Sequence, residues 1–585
     1  MCRLVCLLLA SIHACSILGL PKLAADSPNV IVILTDDQGW GDLSVNGNTN
    51  LSTPNIDSLA RDGATMDNFY VCSVCAPTRA EFLTGRYHLR TGVSGVSRGE
   101  GRINADETTI ADLFQNSGYA TGAFGKWHNG TQPPLHPNYR GFDEFYGFTS
   151  GHWGHYFSPP LDHNGKVVRG NGFVVDDFTD HAIDFIKTHH EKPFFCYLPL
   201  NTPHSPMMVD DRFYEKFDGK ELTMTHREPK REDILMTRAA LAMCENIDWN
   251  VGRLLKVIDE LKLRDNTIVV FFCDNGPNSY RFNGGMKGRK GSIDEGGLRS
   301  PFFVRWPAKI QPGQKIDNVV GAIDLLPTLT AFAGIEPKTT KPLDGQSFQG
   351  LLTQRASSWQ PRSLFSCWRN KVTVRTQKYR LDSAGALFDI TMDRGQNLDV
   401  AGAHPEIAKR LRKQAAKHLS EMTAVRERYS DRPFTVGYAS STTLPARDAH
   451  EHGTIKRSAK PPNNSFFENW THPGDSITWD INVVDSGNYR ATIYYTCASG
   501  NEGVTITAAV DDGDSTSGTV TRVFDPPLYD KSKERVRNSH YFVKDFIPQA
   551  LGELNLKKGR QTLRLKASDF QGDEALDVHS IRLER

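Results

Sequence analysis

Val30-Ile31-Val32-Ile33-Leu34, running into Thr35-Asp36-Asp37-Gln38-Gly39, is the stretch on which the fold turns. Five consecutive apolar residues with no polar alternation describe a strand buried on both faces. Such strands belong to parallel sheets covered by helices. The polar residues and Gly39 then end the strand in a loop. Working outward, the same unit recurs. Residues 108–116 read as a helix with Thr108 near its cap and Gly118 as its stop, followed by a strand over 119–124. A helical pattern over 178–189 leads into a strand over 194–200. A long amphipathic pattern over 232–263 leads into Thr267-Ile268-Val269-Val270-Phe271-Phe272. This order predicts an α/β fold, a mainly parallel sheet flanked by helices on both faces. Sites in such sheets form beyond the carboxyl ends of strands. Leu34, Phe124, Leu200 and Phe272 each end a strand, and polar residues follow each one closely.

The chain has 585 residues, about four times the ~150-residue domain prior, so several domains are expected. Residues 1–25 read as a secretory signal: a short basic start at Met1-Cys2-Arg3, an apolar stretch over 4–20, and Leu23-Ala24-Ala25 before removal near Ala25. About 17 residues interrupted by His13 is marginal for spanning a bilayer. The mature protein is therefore expected to be exported, periplasmic or secreted, with no membrane segment. Residues 26–357 form the expected catalytic α/β domain. Over 358–432 the pattern changes to short strands and one Lys/Arg-rich helix, a small α+β subdomain. Residues 433–464, rich in Ser, Thr, Pro and Gly, read as a linker. Short alternating segments over 465–585 predict a separate β-sandwich.

Composition is that of a globular protein, 38% hydrophobic and 23% charged, which excludes disordered and fibrous classes. A net charge of +1 creates no field for nucleic acid, so an anionic substrate must be met by local charge. Beyond the signal, Cys72, Cys75, Cys196, Cys244, Cys273, Cys367 and Cys497 are too few for a disulfide scaffold of this size. Cys72-Ser73-Val74-Cys75 lacks the second ligand pair of a zinc site, although a redox dithiol fits its spacing. Cys196 and Cys273 lie in apolar runs and read as buried small hydrophobes.

The strongest local signal is Cys75-Ala76-Pro77-Thr78-Arg79, continuing to Thr84-Gly85-Arg86. Pro77 makes a rigid turn into a helix, and Arg79 falls one turn beyond Cys75 on the same face. A nucleophile at a helix N-terminus meets unpaired N–H groups that favour an anion. Cys75 alone would equally suit a buried thiol beside a structural arginine. The stretch closely resembles the signature of the type I sulfatase family, and the resemblance covers about residues 27–429. It implies an alkaline-phosphatase-like fold and oxidation of Cys75 to formylglycine by a maturation enzyme that accepts Cys. The hydrate of that aldehyde can attack sulfur with one hydroxyl. Its second hydroxyl can then lose a proton and expel sulfate, which divides a hard displacement into two steps.

Asp36-Asp37 and Asp274-Asn275 each follow a strand directly. Either pair alone would serve as a turn or a cap. Together they offer hard oxygen ligands for Ca²⁺ or Mg²⁺, and both match the family's metal positions, with the modified Cys75 as a further ligand and Ca²⁺ as the usual ion. Three more segments match: Lys126-Trp127-His128-Asn129, where the family often has Leu at the last position; the segment around His204; and Lys290, followed by Glu295-Gly296-Gly297. Lys287 is a nearby decoy. If the segment is extended, Lys126 and His128 point the same way. By resemblance and charge, Lys126, Lys290 and the metal bind the sulfate oxygens, Arg79 holds the formylglycine oxygen, His204 protonates the leaving alcohol and His128 accepts the proton during elimination.

Substrate signals are thinner. Residues 151–157, Gly-His-Trp-Gly-His-Tyr-Phe, suit a specificity loop and a core-lining loop equally. The sandwich resembles carbohydrate-binding, jelly-roll modules in strand rhythm only, and Trp470, Trp479, Tyr494 and Tyr495 read as core aromatics before ligand platforms. A sulfated polysaccharide is the expected substrate. The alternatives are a phosphomonoester or phosphonate hydrolase of the same superfamily, and a non-catalytic glycan-binding protein.

Overall fold

The structure, a computed structural model, describes residues 27–354, 359–511, 513–537 and 541–585. The expected signal segment lies outside the described residues. Among those residues no helix is long and apolar enough to cross a membrane.

A ten-stranded sheet organises the first 320 residues or so. Its order is Gln314–Ile316, Ala64–Met66, Phe302–Arg305, Thr267–Cys273, Asn29–Thr35, Phe194–Pro199, Ala120–Lys126, Glu144–Phe148, Pro160–His163 and Lys166–Arg169. The five strands from Thr267–Cys273 to Glu144–Phe148 run parallel. Phe302–Arg305 and Pro160–His163 run antiparallel to their neighbours, so the sheet is mixed at its flanks.

The opening apolar run does what its composition requires. Ile31 and Ile33 face one core with residues of the helices Val174–His189 and Ile234–Glu260. Val30, Val32 and Leu34 face the other, with residues of the helices Cys75–Thr84, Ile110–Asn116 and Leu325–Phe332. Each such side chain contributes about 1.5–3 kcal/mol through burial. Helix starts follow side-chain chemistry. Thr109, one residue later than expected, caps Ile110–Asn116: its hydroxyl accepts from the Asp112 N–H at 3.1 Å while Asp112 accepts from the Thr109 N–H at 2.8 Å. Asp233 likewise accepts from the Met236 N–H at 3.0 Å to open the long helix.

The small subdomain is a four-stranded antiparallel sheet with the helix Pro405–Arg428 packed on it. Beyond it, two six-stranded sheets enclose a separate core that includes Trp470, Trp479 and Tyr495. The core reading of those three aromatics holds, while Tyr494 is half-buried. The expectation of a linker over 433–464 does not hold. Phe434–Val436 pairs with Ser476–Val483, Ser441–Pro445 pairs with Asp577–Glu584, and His450–His452 pairs with Ser476–Val483. These segments are too short to show alternation, and pairing with longer strands supplies their order. Ile547–Leu556 also escaped the sequence reading, because Pro548 argues against a central strand. It lies at a sheet edge beside Gly487–Thr496, where a missing N–H is tolerated.

His418 in the subdomain helix stacks on Phe365 with ring centroids 4.3 Å apart, and Tyr87 packs against it edge-on. Burial first, and then the Arg90 and His88 charges, lower its pKa to about 4. The unfolded chain, titrating near 6.5, takes up that proton first. Stability from this site is therefore full above about pH 6.5 and falls as pH drops towards 4. His418→Phe should flatten the decline of the melting temperature over that window; an unchanged slope in thermal melts would assign it to other groups.

Candidate active site

Four neighbouring parallel strands end side by side, and the residues just past their ends meet. Asp36 and Asp37 follow Asn29–Thr35, and Asp274 and Asn275 follow Thr267–Cys273. Lys126 closes Ala120–Lys126, and His204 lies in the loop after Phe194–Pro199. Backbone bonds tie these loops together: Asp36 N–H to the Thr202 carbonyl at 3.1 Å, and Asp274 N–H to the Thr35 carbonyl at 3.1 Å. Asp37 adopts a positive φ of 67°, and its N–H donates to Asp274 Oδ1 at 3.2 Å.

Cys75 is the first residue of the buried helix Cys75–Thr84, which ends where Gly85 takes a left-handed φ of 65°. Thr78 anchors the helix start: its hydroxyl donates to the Asp274 carbonyl at 2.6 Å and accepts from the Cys72 N–H at 2.9 Å. Arg79, one turn along, donates through Nη2 to Asp274 Oδ2 at 2.8 Å and through Nη1 to the Lys126 carbonyl at 2.7 Å. Lys126 Nζ lies 2.5 Å from Asp36 Oδ2, and Lys290 Nζ lies 2.6 Å from Asp37 Oδ1. Lys287 instead faces Asp294 at 3.4 Å, as expected of a decoy.

The electrostatics follow from packing three carboxylates out of water. Burial raises all three, but at Asp36 the Lys126, His204, Arg79 and Lys290 charges outweigh it and hold the carboxyl well below its usual range. At Asp37 Lys290 leads the same outcome. Asp274 goes the other way: burial and then the Asp36 charge push it up to about 7, against Arg79. Burial also raises the Cys75 thiol, although Lys126 and Lys290 pull it down. An unmodified thiol here would be a poor nucleophile at neutral pH.

The site contains oxygen atoms that the protein leaves unmatched. Asp36 Oδ1 and Asn275 Oδ1 are buried without a hydrogen-bond partner. Donor atoms of Asp36, Cys75 and Asp274, and of Asp36, Asp37 and His204, lie within 4.8 Å of one another. Two unmatched buried oxygens beside two further carboxylates fit a hard divalent cation.

The two histidines have defined tautomers, because carbonyls only accept. His128 donates from Nε2 to the Val96 carbonyl at 2.8 Å, leaving Nδ1 unprotonated, buried and without a partner. Burial and the Lys126 charge lower its pKa far below the ordinary value. The backbone turns at His128, with φ at 70°, so the expected extended run from Lys126 stops there. His204 donates from Nδ1 to the Ser205 carbonyl at 2.7 Å, and its Nε2 lies 3.7 Å from Asp37 Oδ2. Tyr156, from the ring-rich 151–157 stretch, supports this loop by donating to the His204 and Ser205 carbonyls at 3.0 Å each. The ten residues singled out in the sequence thus gather in one place.

Two residues that the sequence did not mark, Arg281 and Asp42, hold the Asp36–Asp37 loop there. Arg281 donates to Asp42 at 2.7 Å and to the Asp37 carbonyl at 2.9 Å, with both side chains buried, and so fixes the Asp36–Asp37 loop from behind. Nothing in the local pattern distinguishes that pair from surface charges. Glu295 is different: it belongs to a motif visible in the sequence, but its carboxylate turns away from the site. It accepts from the Tyr70 hydroxyl at 2.7 Å and from Arg380 Nε at 2.9 Å, joining the Lys290 loop to the small subdomain.

Residues 28–335 match the sulfatase family. The chain belongs to it. Residues 289–419 also match the C-terminal region of N-sulphoglucosamine sulphohydrolase. The sulfatase is 32% identical over 392 residues to N-acetylgalactosamine-6-sulfatase of Sus scrofa, an alignment covering 60% of this chain and 70% of the relative. It is 28% identical to N-acetylgalactosamine-6-O-sulfatase of Bacteroides thetaiotaomicron, over 66% of this chain and 92% of that one. Among solved structures, Ps i-CgsB in complex with k-i-k-neocarrahexaose superposes with a TM-score of 0.61 at 29% identity, covering 67% of this chain and 93% of the other.

Ca²⁺ should raise the melting temperature of the wild-type protein by a few degrees at a hundredfold excess over its Kd, equivalent to about 2.7 kcal/mol, and should not do so for Asp36→Ala. Because Asp274 binds a proton up to about pH 7, which the cation must displace, the Ca²⁺-induced shift should grow as pH rises through 7. A shift of equal size in Asp36→Ala would remove the cation from this site.

Proposed function

We propose that this sulfatase hydrolyses sulfate esters on carbohydrates, with Cys75 converted to formylglycine by a maturation enzyme and a divalent cation, Ca²⁺ before Mg²⁺, held by Asp36, Asp37, Asp274, Asn275 and the modified residue 75. The observation that carries the reading is the position of residue 75 at a helix N-terminus beside Lys126 and Lys290, near the unmatched oxygens of Asp36 and Asn275. The bound cation would neutralise negative charge on the ester oxygens. Formylglycine at position 75 would supply, as its hydrate, an oxygen nucleophile that the buried thiol is not.

The remaining work falls to this chain's own side chains. Lys126 and Lys290 flank the position of the anion and supply positive charge without needing to be brought from solvent. Arg79, pinned to Asp274 and to the Lys126 carbonyl, fixes the orientation of residue 75 from one helical turn away. His128 offers the unprotonated Nδ1 of a ring held neutral by burial, which suits a base that takes a proton from residue 75. His204 turns Nε2 towards Asp37 at 3.7 Å; burial and then the Lys290 charge lower its pKa against the Asp37 carboxylate, so a proton on it is weakly held, which suits an acid serving the departing alcohol. Carbohydrate as the alcohol component is supported by the relatives' names and by the oligosaccharide bound in Ps i-CgsB. Export to the periplasm or the exterior belongs to the same reading and rests on residues 1–25.

Peptide mass spectrometry should find sulfur replaced by an aldehyde oxygen at residue 75, and Cys75→Ala should lose at least about a thousandfold in kcat. His204→Ala should slow esters of sugar alcohols about a hundredfold or more, yet activated aryl sulfates far less, because a good leaving group needs no acid. Equal losses on both substrates would reassign His204. Matched aryl phosphate turned over faster than aryl sulfate would favour the phosphoester alternative.

A further inference from the structure

The C-terminal β-sandwich does not stand apart from the catalytic domain. Two of its segments press onto the 151–157 loop beside the active site. Asn463 donates to the Val96 carbonyl at 2.8 Å, the same oxygen that fixes the His128 tautomer, and its own carbonyl accepts from the Ser150 hydroxyl. A Cβ at Gly151 would lie 2.2 Å from Asn463 Nδ2, and one at Gly154 would lie 2.2 Å from Asn464 Nδ2 and 2.3 Å from Val543 Cγ2. Both glycines of that loop are therefore where the second domain closes in. Further along, the Asp530 carbonyl accepts from His155 Nε2 at 2.8 Å, Tyr529 accepts from Arg169 at 2.7 Å, and the Arg535 N–H reaches the Met207 carbonyl at 2.9 Å.

From this segment Tyr541 reaches the edge of the site through His152. It is 7% exposed. Its ring stands at 86° to His152 with centroids 5.1 Å apart, and His152 lies parallel to His204 at 5.9 Å. Its hydroxyl lies near the Ser205 side chain. The cations that would grip sulfate lie deep: Lys126 is fully buried, whereas the side chains of Lys290 and His204 are 21% and 12% exposed. The alcohol half of an ester must therefore extend outward past His204 and Lys290, where Tyr541 stands.

We propose that the C-terminal sandwich completes the substrate pocket and that Tyr541 is a positioning residue for the sugar bearing the sulfate, held against the His152–His204 pair. This rests on the sulfatase reading above. An aromatic wall with few polar groups is the usual lining for a ligand of this size, and its rigid ring costs little entropy to hold. The sulfate itself makes no use of Tyr541, so the effect of the residue depends on what the sulfate is attached to.

The test compares kcat/KM for a sulfated oligosaccharide with that for a small aryl sulfate, in full-length protein. Loss of one pocket contact is worth about 10- to 100-fold in discrimination. Tyr541→Ala should lower the ratio of the two constants by about tenfold or more, mainly through KM for the oligosaccharide, and Tyr541→Phe should restore it. Tyr541→Leu, which keeps apolar bulk, serves if the alanine variant misfolds and should lower the ratio likewise. An unchanged ratio in Ala and Leu variants overturns the role of Tyr541 while aryl-sulfate turnover that Cys75→Ala abolishes leaves the sulfatase reading standing. No wild-type turnover of either ester overturns both.

Discussion

Three carboxylates buried side by side, with too little solvent to screen them, are the constraint around which this protein is built. Asp36, Asp37 and Asp274 would repel one another and resist ionisation if left alone. Arg79 and Lys126 share the same few ångströms, and Lys290 meets Asp37 from the opposite loop. The balance is incomplete by design of the fold: Asp274 stays close to neutral pH in its titration, and oxygens of Asp36 and Asn275 remain unmatched. A site so poised has a use for a dication and an anion together, because the first completes the charge of the acids and the second that of the lysines.

The sheet explains how residues so far apart in sequence reach that arrangement. Adjacent parallel strands present their carboxyl ends at one edge, so loops that begin about 70 to 240 residues apart in the chain begin within three strand spacings of each other in space. The helix carrying Cys75 is then placed by Thr78 and Arg79, which bond to Asp274 rather than to their own helix. Placement of Cys75 and placement of the Asp36, Asp37 and Asp274 carboxylates are thus a single event.

Much of this was legible in the sequence for a physical reason. A fully apolar run such as Val30–Leu34 has few environments open to it, and short motifs following such runs inherit a known position. The strands that carry the site were readable to within a few residues. What could not be read depended on partners distant in sequence. Residues 433–464 look like a linker until Asp577–Glu584 and Ser476–Val483 lie beside them. Arg281 and Asp42 are ordinary charges until burial makes them a pair. Tyr541 has no motif at all, and its position follows only from how two domains meet.

Glu295 carries one more consequence. Its carboxylate is gripped by Arg380 of the small antiparallel sheet and by Tyr70, which Arg375 of that sheet also contacts at 2.7 Å. Lys290 sits at the other end of the same short loop. The small sheet is therefore not an appendage that could drift by itself. Loop and sheet are mechanically one block, and a graft that took either without its counterpart would strand a buried acid and loosen the ammonium group of Lys290 from Asp37.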